Sequence, residues 1–307
     1  MSIDNLDSTT PKQWQSRGQL KTLLGHSIFV VDEGAETLPT IVLLHGFPTA
    51  SWDWVPIWQA LSRNYRLIAL DMLGFGLSEK PNHRNYTIHQ QADIVEALIK
   101  DKQLKKFHVL AHDYGDTVAQ ELLARQVEGS GEGSWLSCCF LNGGLFPETH
   151  RALLTQKLLL SPLGKFLNSL TGFSKFSRNF SSVFGPQSKP TEQELLHFWW
   201  LINFNNGKHI FHNLITYMRD RLEHRERWVN ALQKSTVPIG LINGSLDPVS
   251  GAHMVARYKE LECRLDYLAE LPLIGHYPQV EAPAEVIKHY QEYLESLLTS
   301  NAVASHD

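Results

Sequence analysis

The most constraining feature of this 307-residue chain is one junction, Ala111-His112-Asp113-Tyr114-Gly115-Asp116. The apolar block at 107–110 before it reads as a buried strand, and residues 117–123 after it carry apolar side chains at helical spacing. Small residues around an acid between a strand and a helix allow a sharp turn that lifts one side chain above a parallel sheet. Asp113 holds that place. A carboxylate is already ionised at neutral pH, so it attacks carbon directly and forms an ester with the protein.

The remaining pattern fits such a sheet. Residues 20–33 alternate enough for one or two edge strands; 40–44, 65–70, 136–141, 237–242 and 264–271 read as further strands. Residues 54–61, 88–104 and 284–298 read as helices. Apolar strand blocks alternating with helices predict an α/β fold, a mainly parallel central sheet with helices on both faces. Between 143 and 228 the alternation stops, and Leu, Phe and Trp recur at helical intervals. The predicted organisation is a polar, partly ordered N-terminal tail (1–18), an α/β core (19–142 and 229–307) and a helical insertion (143–228).

Composition narrows the partners. The chain is 43% hydrophobic and 20% charged, as expected of a globular protein with a sizeable core. A net charge of -4 without a Lys/Arg run argues against nucleic acid. No apolar stretch is long enough to span a bilayer, and residues 1–18 lack the apolar centre of a signal peptide, so a cytoplasmic protein is expected. Cys138, Cys139 and Cys263 form no framework and read as buried free thiols. Nothing calls for a cofactor. His209 and His212 have helical ligand spacing but no further ligands nearby in sequence, so no metal is expected.

Three more motifs follow predicted strands. His45-Gly46-Phe47-Pro48 brings backbone close to a ligand and aims the Phe47 amide at a developing oxyanion, with the Tyr114 amide as second donor. Asp247, in Gly244-Ser245-Leu246-Asp247-Pro248, offers an acid; His276, in Ile274-Gly275-His276-Tyr277-Pro278, offers a histidine. Nucleophile, acid and histidine occur in the order expected of α/β-hydrolases. Each also has a plainer reading: Asp113 as a helix cap, Asp247 as a turn former, His276 as a loop histidine. Glu148 rivals Asp247 as the histidine's partner, and Asp71 reads as a loop-shaping residue. The mixed Arg/Glu run at 221–228 reads as a solvated helix face.

On these residues the chain resembles the α/β-hydrolase superfamily, in the branch of epoxide hydrolases and haloalkane dehalogenases, from about 20 to 298. Within that branch it looks most like the mesoderm-specific transcript proteins. The supporting segments are His112-Asp113-Tyr114-Gly115-Asp116, Leu141 to Arg151, Val183-Phe184-Gly185-Pro186, Leu246-Asp247-Pro248-Val249 and His276-Tyr277-Pro278-Gln279. The resemblance implies the α/β-hydrolase fold with residues 143–228 as a cap, and an Asp113–His276–Asp247 triad with water as co-substrate. Its small, apolar, electrophilic substrate would be an epoxide first and an alkyl halide second. It further implies Tyr217 as one of the two cap tyrosines that polarise an epoxide. The other has no tyrosine counterpart; Phe166, Phe173 and Phe176 lie in its neighbourhood, and His197, His209 or His212 is the expected substitute donor. Trp200 and the aromatics Phe198, Trp199, Phe204 and Phe211 either line the pocket or glue the cap to the core. An esterase or lactonase using Asp113 as a base, and a non-catalytic ligand-binding protein, are the other readings.

Overall fold

In the computed structural model the apolar strand blocks assemble into one eight-stranded sheet, described for residues 9–82, 86–151, 157, 159–161, 164, 166 and 172–304. The strands are β1 (Gln19–Leu23), β2 (His26–Glu33), β3 (Thr40–Leu44), β4 (Arg66–Leu70), β5 (Lys106–His112), β6 (Ser134–Leu141), β7 (Ile239–Gly244) and β8 (Tyr267–Leu271), in the spatial order β1-β2-β4-β3-β5-β6-β7-β8. β1 and β2 form an antiparallel pair at one edge, β2 meets β4 antiparallel, and the other pairings are parallel. This is the α/β-hydrolase fold expected from the sequence.

Strand alternation builds two cores. Val42, Leu44, Val109 and Ala111 enter one cluster, and Ile41, Leu43, Leu110 and Leu141 enter the other. Helices α3 (Ile88–Asp101) and α4 (Tyr114–Glu128) cover the first side through Ile94, Val95, Val118 and Leu122. Helix α2 (Val55–Leu61) and the C-terminal helix Pro283–Ala304 cover the second through Ile57, Trp58, Val286 and Tyr290. Burial of both faces explains why β3 and β4 read as unbroken apolar runs rather than as alternating ones.

The partly ordered tail expected at 1–18 contains one helix: residues 1–8 lie outside the described residues, and Pro11–Arg17 is α1. Thr10 caps it in a reciprocal capping box with Gln13, Pro11 starts it, and fully buried Trp14 donates to Ser51 Oγ (3.0 Å). The 221–228 run, expected to be a solvated helix face, is one only in part: Leu222, Glu223 and Glu226 are exposed, but Arg221 and Trp228 turn inward. Arg221 is 2% exposed, and Trp228 is buried with its indole N–H on Glu121 (2.9 Å).

Between β6 and β7 the described elements are helical: Phe173–Ser181, Glu192–Asn203, Phe211–Leu214, Tyr217–Glu223 and Arg225–Lys234. The aromatics there are largely packing groups. Phe198 is fully buried, edge-on to Trp52 at 5.1 Å, and Trp199 meets Phe176 at 5.1 Å. Asp220 accepts the Ile88 amide at the start of α3 (2.8 Å), which ties this segment to the sheet's helices.

Candidate active site

β5 lies at the centre of the sheet and delivers Asp113 at its C-terminal end. Asp113 has φ 47° and ψ -102°, a conformation unfavourable for a residue with a Cβ and common at functional turns. Its amide donates to Leu141 O (3.2 Å), while its carboxylate makes no capping bond to α4. That disposes of the helix-cap reading. Gly46 explains how the neighbouring loop comes so close. A Cβ there would sit 2.6 Å from His112 Nδ1 and 3.1 Å from Asp113 Cβ.

The two carboxylate oxygens have different surroundings. Oδ2 accepts the Phe47 amide (3.0 Å), the donor expected from the His-Gly-Phe-Pro motif. Oδ1 faces His276 Nε2 and Arg221 Nη2, each at 3.8 Å, beyond hydrogen-bonding distance. The Tyr114 amide begins α4 immediately behind the carboxylate. The Phe47 carbonyl is held by the Tyr277 hydroxyl (3.2 Å), and His45 braces the loop. His45 Nε2 accepts the Met72 amide (3.0 Å), so Nδ1 carries the proton donated to Gly46 O (2.8 Å).

His276 follows β8 and Asp247 follows β7. His276 Nδ1 donates to Asp247 Oδ2 (2.7 Å), and the His276 carbonyl accepts His112 Nε2 (2.7 Å). Asp247 Oδ1 accepts the Val249 amide (2.7 Å), and Oδ2 also accepts the Ser250 hydroxyl (2.7 Å) and Asn142 Nδ2 (3.1 Å). Glu148, the rival acid, is exposed and paired with Arg225 and Arg257 instead. Asp71 accepts the Ser51 and Leu77 amides (2.7 Å each), the work of a loop former.

These neighbours set the charges. Burial alone would raise the Asp113 pKa, but His276 and then Arg221 hold it well below the usual carboxylate range. Burial alone would lower the His276 pKa, but Asp247 and Asp113 on its two sides raise it well above the ordinary histidine value. Asp247 is likewise held ionised against its burial by His276 and by its amide and hydroxyl donors.

Two residues escaped sequence reading. Asn142, at φ 46°, bonds both Gly244 N (2.7 Å) and Asp247, joining the ends of β6 and β7 beneath the acid. Arg221 donates from Nε to Thr117 Oγ1 (2.8 Å) and from Nη1 to His150 Nδ1 (3.3 Å), with its guanidinium over the Tyr217 ring at 4.6 Å. The spacing held a clue, since Tyr217 and Arg221 are four apart on one helix and share a face.

Of the expected substrate-side residues, Tyr217 joins the site. Its ring is 4.9 Å from that of Tyr114 and 6.0 Å from that of Phe47, and its buried hydroxyl has no partner among the described residues. Phe211 also faces Phe47, at 5.5 Å. Trp200 packs on Phe204 (5.3 Å), His197 stands edge-on to Trp52 (5.5 Å), His209 is exposed, and His212 is half-buried on Phe211–Leu214. Among the described residues, no group of three His, Cys, Asp or Glu side chains could hold a metal ion.

A family signature described as alpha/beta hydrolase fold matches residues 39–283. The chain belongs to that family. It is 44% identical over 295 residues to the mesoderm-specific transcript homolog protein of Homo sapiens, covering 92% of this chain and 87% of that one. Two solved structures share the fold. The haloalkane dehalogenase DbeA of Bradyrhizobium elkani is 21% identical with a TM-score of 0.74, covering 92% of this chain and 99% of its own. A putative epoxide hydrolase of Klebsiella pneumoniae is 17% identical with a TM-score of 0.72, covering 91% and 97%. In this fold Asp113, His276 and Asp247 follow β5, β8 and β7.

Proposed function

We propose that the protein is a hydrolase that forms a covalent ester through Asp113 and hydrolyses it with His276 and Asp247. The observation that carries this reading is the divided carboxylate: Oδ2 is held by the Phe47 amide, and Oδ1 is unbonded and faces the imidazole. The helices from Phe173 to Glu223 act as a cap over the site, and Phe47, Phe211 and Tyr217 provide apolar wall around the reacting carbon. The three buried free cysteines suit a cytoplasmic protein.

In the first step Asp113 Oδ1 bonds an electrophilic carbon of an epoxide, the ring C–O bond breaks, and its electron pair stays on the ring oxygen. That oxygen takes the Tyr217 hydroxyl proton. Esterification removes one of the two carboxylates that favoured the His276 proton, so the imidazolium releases it and Tyr217 is restored. In the second step neutral His276, oriented by Asp247, takes a proton from water, and the resulting hydroxide attacks Asp113 Cγ. The Phe47 and Tyr114 amides stabilise the oxyanion, each worth about 3 kcal/mol. The alcohol departs, and the Asp113 carboxylate and His276 imidazolium return.

An epoxide is preferred to an alkyl halide because Tyr217 brings a buried, unpartnered hydroxyl to the site. Positions 47 and 114 hold Phe and Tyr, which lack a side-chain N–H for a halide. The test is the intact mass of His276→Gln after incubation with styrene oxide and with 1-bromohexane. A gain equal to the whole epoxide, mapped to Asp113, supports the reading. Labelling by the bromide alone reassigns the leaving group to halide. No adduct in a folded variant removes the nucleophile and leaves the esterase and binding-protein readings.

A further inference from the structure

We propose that Glu281 is a positioning residue that clamps the His276 loop to segment 183–188, and that this clamp sets the rate of ester hydrolysis. This rests on the proposed alkyl-enzyme reading and deepens its second step. Segment 183–188 lies between the helices Phe173–Ser181 and Glu192–Asn203.

The local sequence brings Glu281 into place. Pro278 starts the one-turn helix Pro278–Glu281, which carries the Glu281 side chain back to the amides that precede it. Its carboxylate accepts four neutral donors. Oε1 accepts the Tyr277 amide (2.9 Å), and Oε2 accepts the Gly275 amide (2.9 Å), the Gly185 amide (2.7 Å) and the Ser188 hydroxyl (2.6 Å). The His276 amide donates to Val183 O (2.9 Å). Three successive amides, 275 to 277, are thus held either by Glu281 or by segment 183–188. A carboxylate offers about four acceptor sites and no donor, so an amide of the same shape cannot take its place.

The two loops also meet at unusually close range. A Cβ on Gly275 would lie 2.3 Å from Val183 O and 2.5 Å from Gly185 N, and one on Gly185 would lie 2.4 Å from Leu273 O. Beside them the Phe184 ring stacks on that of Tyr277, with centroids 5.1 Å apart and planes 7° apart. The Tyr277 hydroxyl in turn reaches Phe47 O (3.2 Å). One set of contacts therefore runs from segment 183–188 through Glu281 and Tyr277 to the oxyanion loop. His276 sits in its middle, with its ring on Asp247.

The clamp bears on one step. Asp113 attacks carbon without a base, whereas hydrolysis needs His276 to meet a water molecule beside Asp113 Cγ. Displacing a reacting group by about 1 Å costs roughly 100-fold in rate. Loosening the backbone of residues 275–277 should therefore slow the decay of the ester and spare its formation.

Quenched single turnovers of styrene oxide, read by intact mass, resolve the two steps. Glu281→Gln keeps the volume of the side chain but turns one accepting oxygen into a donor. It should slow decay of the Asp113 ester roughly 10- to 100-fold and change its formation less than about threefold. In the steady state kcat should fall while kcat/KM holds. Added to His276→Gln, it should leave the rate of Asp113 labelling within about threefold of the single variant. An equal loss in both steps would show a general packing role and overturn the proposal, as would unchanged decay. Ser188→Ala keeps the test open if Glu281→Gln does not fold, since it removes only one bond of the clamp. It should slow decay about threefold at constant formation, and unchanged decay would overturn the clamp. No adduct in His276→Gln itself would remove the alkyl-enzyme reading, and the role of Glu281 with it.

Discussion

Arg221 holds its guanidinium 3.8 Å from Asp113 Oδ1, inside the protein, with only the neutral Thr117 and His150 side chains as hydrogen-bond partners on Nε and Nη1. While Asp113 is a carboxylate the two charges compensate each other. Once Asp113 is an ester, Arg221 becomes a buried cation near His276, and His276 sheds its proton more readily. Arg221→Met should therefore raise the His276 pKa in the intermediate. The acid limb of the kcat–pH profile should move to higher pH, and kcat should fall about 100-fold. Lysine should not rescue it, because it lacks the fork that reaches Thr117, His150 and Asp113 together. An unmoved acid limb would count against this role.

The acid should matter for breakdown of the ester and little for its formation. Asp247→Asn should slow hydrolysis of the intermediate by roughly three to four orders of magnitude, because the amide no longer favours the Nδ1–H tautomer of His276. Ester formation should stay within a few-fold. Asn142→Ala removes the side-chain bonds beneath Asp247, and it should lower stability by about 1–3 kcal/mol with a smaller loss of rate. Single-turnover kinetics and urea melts separate these effects.

Much of this site was legible because each of its main residues ends a strand. Asp113, Asp247, His276 and Phe47 stand one to five residues beyond apolar blocks that could only be buried strands. Burial on both faces, rather than pairing register, fixed those blocks. Arg221 was not legible: its neighbours Leu222, Glu223 and Glu226 are exposed, and a mixed Arg/Glu run carries no sign that one arginine points inward. Neither was the α1 helix, whose single apolar anchor, Trp14, gives no periodicity to read. Asn142 and His150 lie in loops, where only the fold determines what a polar side chain meets.

Asp116 predicts a pH dependence of stability. Its carboxyl group is fully buried and without a partner among the described residues, and burial, followed by the Asp113 charge, raises its pKa well above the ordinary value. The folded protein thus keeps a proton that the unfolded chain releases above about pH 4. For a raised pKa the contribution is complete below the unfolded value and is lost as pH rises towards the folded one. Asp116→Asn, a neutral isostere, should gain on the parent by up to about 1.4 kcal/mol per pH unit through that window. Parallel urea melts at pH 5 and pH 8 check this; an equal difference at both would refute the protonated carboxyl.

Glu121 should be a stability residue alone. Its buried carboxylate accepts Arg125 Nε, Arg227 Nε and the Trp228 indole N–H, each at 2.9 Å, pinning the Arg225–Lys234 helix onto α4. Glu121→Ala should cost about 1–3 kcal/mol by removing the acceptor of those bonds, although Arg125 keeps Asp93 and Glu96 and Arg227 keeps Glu128, while the folded fraction keeps its rate of Asp113 labelling. Calorimetry combined with the mass assay tests both halves.

The central claim is that an Asp113 oxygen enters the product. A single turnover of styrene oxide in ¹⁸O-labelled water, with excess enzyme, tests it most directly. Attack of water on Cγ predicts one ¹⁸O in the peptide containing Asp113 and an unlabelled diol. Label in the diol, with the Asp113 peptide unchanged, would mean that water attacks the substrate itself and would contradict the account.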